Sequence, residues 1–137
     1  LRNSYQIIIT MPNADTMGNM IRERLTTFGD KYENVILIES FGMIGYLSCM
    51  KYCSFLLGNT SSGFVEASYF PKYVINLGDR QKGRMQSPNI LTVPITSVKI
   101  IEAADKIESS KALKNLHWYG NGNAAEKIIS KLKGLTL

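Results

Sequence analysis

The residues best suited to chemistry lie in one stretch, Gly58 to Arg84. Thr60, Ser61 and Ser62 follow Gly58 and Asn59, with Gly63 next and Glu66 just beyond. Hydroxyl side chains at the start of a helix accept hydrogen bonds from backbone N–H groups that have no helical partner. The same end carries partial positive charge and spare donors, which suits an anion such as phosphate. After a further strand come Asp79, Arg80, Lys82 and Arg84, a loop with three cations. A hydroxyl loop and a cation loop in series could hold a diphosphate from two sides. The spacing also suits a plain β-α-β unit in which Thr and Ser only cap a helix. In that reading Glu66 only complements the helix dipole, and Arg80, Lys82 and Arg84 form a solvated loop.

Alternating strands and helices are needed to position these loops. Tyr5–Thr10 is continuous and β-rich, so it reads as a parallel strand buried on both faces. Met17, Met20, Ile21, Leu25 and Phe28 recur at helical spacing, and Gly29 is placed as the helix stop. Val35–Ile38 is the second strand, and a helix with Ile44, Leu47 and Met50 runs to Tyr52. Strand three is Ser54–Leu57. A helix from Phe64 to Phe70 ends at Pro71, and strand four is Tyr73–Leu77. Asn89–Val93 is a short fifth strand. Thr96 or Ser97 caps a helix reaching Ser109, and a turn-rich segment leads to a last helix over Ala124–Leu132. This order predicts an α/β, Rossmann-like parallel sheet with helices on both faces. The loops at Pro12–Asp15, Ser40–Gly45, Asn59–Gly63 and Gly78–Arg84 all follow strands, so they should open on the carboxyl edge, where ligands bind in such sheets.

Composition narrows the function classes. The 137 residues are 45% apolar and 20% charged, which suits one globular domain with one core. No apolar run approaches a bilayer span, and the N-terminus shows no signal peptide, so a cytoplasmic chain without membrane association is expected. The net charge of +5 suits an anionic partner. The basic residues are scattered and not interleaved with aromatics, which argues against nucleic acid. Cys49 and Cys53 match no metal spacing and read as free buried thiols. His117 beside Trp118 reads as structural. The glycine pattern is not that of a dinucleotide-binding turn, and no cofactor or metal is implied.

Gly58-Asn-Thr-Ser-Ser-Gly-Phe-Val-Glu-Ala67 followed by Val74-Ile-Asn-Leu-Gly-Asp-Arg-Gln-Lys-Gly-Arg84 resembles the C-terminal half of the UDP-N-acetylglucosamine 2-epimerases, nearest the hydrolysing type. Met11-Pro-Asn-Ala-Asp15, Ser40–Leu47 and Tyr119–Ala124 resemble further segments of that family, so the resemblance covers nearly the whole chain. Thr60 stands where the family usually has Ser, and Met17-Gly18-Asn19 replaces Ala-Gly-Ser.

The resemblance implies a UDP-binding C-terminal domain, residues 1–137, of a two-domain glycosyltransferase B-like enzyme whose N-terminal domain this chain lacks. Thr60 and Ser61, with the backbone at Ser62 and Gly63, would bind the diphosphate. Glu66 would accept bonds from the ribose hydroxyls, and Arg80 would pair with a phosphate oxygen. Phe41 and Tyr46 would lie beside the uracil, and Asn13 and Asp15 near the sugar or phosphate. The partners implied are UDP or UDP-N-acetylglucosamine, the chain's own N-terminal domain, and a second copy in a full-length homodimer. The implied reaction removes the C2 proton, eliminates UDP and adds water to give N-acetylmannosamine. In the non-hydrolysing branch UDP adds back. The acid and base would come mainly from the N-terminal half, so this chain alone should be inactive. A nucleotide sensor and a glycosyltransferase donor domain are the rival readings.

Overall fold

The computed structural model describes residues 5–12, 18–114 and 118–135. The chain divides into two compact units, Leu1–Cys49 and Met50–Leu137.

In the first unit β1 (Ile7–Thr10) and β2 (Val35–Ile38) pair in parallel, with Ile7 opposite Val35 and Thr10 opposite Ile38. Helix α1 (Gly18–Lys31) connects them and packs on β2. Gly29 lies inside α1 and does not stop it. A Cβ there would come within 2.6 Å of Leu37 Cδ1, so the glycine lets helix and strand approach closely. The helix continues to Lys31, and Phe28 stacks obliquely on Tyr32 with centroids 4.9 Å apart. Nor is β1 buried on both faces: its residues alternate, and Ile8 is 44% exposed. Alternation is what results when helical cover lies on one face of a strand pair. Helix α2 (Gly42–Tyr52) follows, and its first N–H gains a partner where Gly42 N donates to Ser40 Oγ at 3.2 Å.

The second unit carries β3 (Phe55–Gly58), β4 (Tyr73–Leu77) and β5 (Ile90–Val93) as a parallel sheet in the order β3-β4-β5. Gly58 pairs with Asn76, and Asn76 with Thr92. Successive strand residues face opposite ways, so burial of Val74, Ile75 and Asn76 in a row shows both faces of β4 to be covered. Phe64 and Ala67 are fully buried, and α4 (Ser97–Glu108) packs on β4 and β5 while burying Ala103, Ala104 and Ile107. Full burial of a side chain such as Phe64 or Ile75 contributes roughly 1.5–3 kcal/mol each. Thr96 occupies the N-cap position of α4, yet its side chain makes no capping bond.

The expected helix over Phe64–Phe70 is shorter and broken. A 3-10 helix spans Ser61–Gly63, Phe64 and Val65 turn, and α3 covers only Glu66–Tyr69. Crowding gives the reason. Gly63 is buried so tightly that a Cβ would lie 2.8 Å from Val74 Cγ1, which holds the tighter turn against β4. Helix α5 (Ala124–Lys133) is exposed along its length. Both cysteines are half-buried rather than buried, and Cys53 Sγ donates to Met50 O at 3.2 Å. Among the described residues no helix is long and apolar enough to cross a membrane.

Candidate functional site

The hydroxyl loop and the cation loop follow β3 and β4, which are parallel neighbours, so both open on one edge of the three-stranded sheet. Thr60 has extended backbone and caps the 3-10 helix: its Oγ1 accepts from Ser62 N at 3.4 Å. The same oxygen donates to Ser62 Oγ at 3.4 Å. Both bonds are long, so these hydroxyls are only lightly held and can turn to a ligand. Thr60 and Ser61 are exposed, Ser62 is half-buried and Gly63 is buried. Phe64 N donates to Ser61 O at 2.9 Å, which joins the loop to the buried Phe64.

Glu66 is half-buried in the first turn of α3, and its carboxylate makes no ion pair among the described residues. Because α3 is one turn long, its dipole contributes little. An anion at this loop would meet hydroxyls, local N–H groups and Arg80 rather than the end of a long helix. That corrects the expectation of a full helix behind the loop.

The cation loop is built by turns. Lys82 N donates to Asp79 O at 2.8 Å and Arg84 N to Gln81 O at 3.2 Å. Gly83 has φ +92°, a conformation that other residues reach only with strain. The returning chain is pinned by buried polar groups. Ser87 Oγ donates to Asn89 Oδ1, and Asn89 Nδ2 donates to Lys72 O at 2.8 Å. Tyr119 Oη reaches Met85 O at 3.5 Å, which brings the Tyr119–Ala124 segment to this loop. Beneath both loops Asn76 is 3% exposed. Its Nδ2 donates to Gly78 O and Thr92 Oγ1, each at 3.2 Å, and its Oδ1 is buried without a partner.

Arg80 is exposed, and its Nη1 reaches Asn59 Oδ1 at 3.5 Å. The stronger link was missed in the sequence. Gln81, 7% exposed, donates from Nε2 to Asn59 O at 2.7 Å and accepts from Arg84 Nε at 2.6 Å. Asn59 therefore ties the loop that bears Thr60 to the loop that bears Arg80. In the sequence Gln81 stands out only as an uncharged residue among cations, which does not point to Asn59 as its partner.

Phe41 and Tyr46 are half-buried at the start of the α2 region in the first unit. Asn13, Asp15 and His117 lie outside the described residues. Next to the Pro12 loop, Arg22 holds Glu39 with two bonds, at 2.5 and 3.0 Å, and donates to Pro12 O at 3.3 Å. The hydrogen bond from Arg22 holds the Glu39 carboxyl below its ordinary range, and Glu39 in turn raises the guanidinium.

Comparison with known proteins agrees with the sequence resemblance. The profile of the family described as UDP-N-acetylglucosamine 2-epimerase matches residues 1–133. The chain is 32% identical, over all 137 of its residues, to a UDP-N,N'-diacetylbacillosamine 2-epimerase (hydrolyzing) from Legionella pneumophila, spanning 36% of that protein. It is 37% identical over 116 residues to a GDP/UDP-N,N'-diacetylbacillosamine 2-epimerase (hydrolyzing) from Campylobacter jejuni, covering 84% of this chain and 29% of the relative. It is 33% identical over 110 residues to the polysialic acid biosynthesis protein P7 of Escherichia coli, covering 80% and 28%. The chain thus spans about a third of the length of these relatives. With nearly all of its residues matched by the profile, over an α/β fold of parallel strands, the chain belongs to the UDP-N-acetylglucosamine 2-epimerase family.

Proposed function

We propose that residues 1–137 are the UDP-binding, C-terminal domain of a hydrolysing nucleotide-sugar 2-epimerase. The parent enzyme converts UDP-N-acetylglucosamine to N-acetylmannosamine and UDP. One observation carries this reading: hydroxyl loop and cation loop leave neighbouring parallel strands and meet through Asn59. Thr60, Ser61 and the backbone at Ser62 and Gly63 hold the diphosphate. Arg80 pairs with a phosphate oxygen, and Glu66 accepts both ribose hydroxyls. Phe41 and Tyr46 lie beside the uracil, while Asn13 and Asp15 serve the sugar or phosphate side.

In the reaction a base removes the C2 proton, and the C1–O bond breaks with its electron pair going to UDP. Water adds across the resulting double bond. Negative charge grows on the departing β-phosphate, and groups already aimed at it lower the barrier. That is the part this chain's residues perform. In this reading acid and base come mainly from an N-terminal domain that partners this one, so the 137 residues alone should bind UDP weakly and turn over nothing. The full enzyme acts as a cytoplasmic homodimer.

A second reading concerns the sugar. The two relatives named for N,N'-diacetylbacillosamine are 32% and 37% identical, whereas a UDP-N-acetylglucosamine 2-epimerase from Neisseria meningitidis is 28% identical over 102 residues. This favours a 2,4-diacetamido sugar on the same nucleotide site. The full-length protein should be incubated with each nucleotide sugar in D2O. The proposal requires UDP release with deuterium at C2 of the free sugar. Accumulation of an epimerised nucleotide sugar without UDP release would instead establish the non-hydrolysing branch, and no turnover of either substrate would refute the enzymatic reading.

A further inference from the structure

The cation loop contains one arrangement that the proposed diphosphate site does not use. Gln81 is almost fully buried, and both ends of its amide are engaged. Asn59 O can only accept and Arg84 Nε–H can only donate, so one orientation of the amide satisfies both. Neither Glu, which cannot donate when ionised, nor Lys, which cannot accept, could replace it. Arg84 itself is exposed, and beyond the Nε bond its guanidinium has no hydrogen-bond or ion-pair partner among the described residues. Anchoring Nε fixes the plane of the guanidinium and leaves the two terminal nitrogens as a free fork, the geometry that matches two phosphate oxygens. The anchor reaches back to the residue just before Thr60, and the side chain of that same residue meets Arg80.

We infer that Arg84 is a second phosphate-binding guanidinium of the nucleotide site, and that Gln81 is its positioning residue. This rests on the proposed UDP site and adds to it. Arg80 is held loosely and adapts to the ligand. Arg84 is set in advance, at no further ordering cost when the diphosphate arrives.

The test is a calorimetric titration of the full-length protein with UDP and with uridine, for R80A, R84A, Q81A and the Q81A/R84A double variant. R84A should weaken UDP binding roughly tenfold, the scale of one hydrogen bond to a charged group, and leave uridine binding unchanged. Q81A should cause a similar UDP-specific loss, and the double variant should lose no more than R84A alone. A residue that served only to fold the loop would weaken uridine as well, and its effect would add to that of R84A. Additive losses would therefore remove Gln81 from its positioning role. If Q81A fails to fold, the exposed R84A still decides the ligand role. UDP affinity lowered by R80A but untouched by R84A would overturn this inference and leave the nucleotide site standing. If neither arginine mattered, the site itself would fall.

Discussion

Replacing Gly63 with alanine probes the packing that holds the hydroxyl loop in place. The new Cβ would sit 2.8 Å from Val74 Cγ1. Normal carbon–carbon contact begins near 3.5 Å, so loop or strand must give by roughly 0.7 Å. Val74 is poorly able to move. It is 3% exposed, lies in the central strand between β3 and β5, and as a β-branched residue has few alternative rotamers. The displacement therefore falls on the loop, and with it on Thr60, Ser61 and Ser62. Overpacking of this kind costs ~1–3 kcal/mol of stability. Urea unfolding of the full-length protein should show a lowered midpoint, and calorimetry should show weaker UDP binding, because the displaced loop carries Thr60, Ser61 and Ser62. Val74→Ala removes the opposing methyl groups, so the pair G63A/V74A should lose less than the sum of the two single losses. Unchanged stability and unchanged UDP affinity in G63A would refute the packing argument. Strict additivity in the pair would refute its attribution to Val74.

Three further outcomes follow from other parts of the molecule. Arg80→Ala should cost ~1.5–3 kcal/mol of UDP affinity, and Lys at the same position should not restore it, because a point charge lacks the planar fork; isothermal titration reads both. Phe64→Ala, at a fully buried position, should cost ~3–5 kcal/mol in urea unfolding, and a loss well below that range would mean the site collapses around the gap. Glu39 has its carboxyl pKa lowered by Arg22, so its stabilisation is present above the ordinary value of 4.5 and is lost as pH falls through the lowered one. The pair is exposed, so the difference in urea midpoint between wild type and Glu39→Gln should be small at neutral pH and should close on acidification below 4.5. A difference that persisted at low pH would contradict the ion pair as its source.

Much of the scaffold was legible because it is written in apolar runs. β2 and β4 appear where Val35–Ile38 and Tyr73–Leu77 predict them, and β5 begins one residue later than expected. What failed was anything decided by a distant neighbour. Gly29 looked like a helix stop, because the sequence does not reveal that Leu37 presses against it. Phe64, Ala67 and Ser68 have helical spacing, yet the approach of Gly63 to Val74 tightens the first turn into a 3-10 helix. Tyr5–Thr10 looked buried on both faces, since an isoleucine run does not say how many helices cover it. At the site, Thr60 and Arg80 could be read as residue types that bind phosphate. Asn59 and Gln81 could not. Their role lies in a bond between loops that are separate in sequence, and a neutral amide in a charged loop carries no periodic signal.

The proposed function requires a uridine diphosphate on the loops after β3 and β4. The most direct measurement is a titration of the full-length protein with UDP, ADP and inorganic phosphate, followed by amide NMR of labelled residues in this domain. Preference for UDP is expected, with shifts concentrated at Asn59–Glu66 and at Arg80–Arg84. Equal responses to all three ligands, or shifts that leave both loops untouched, would contradict it.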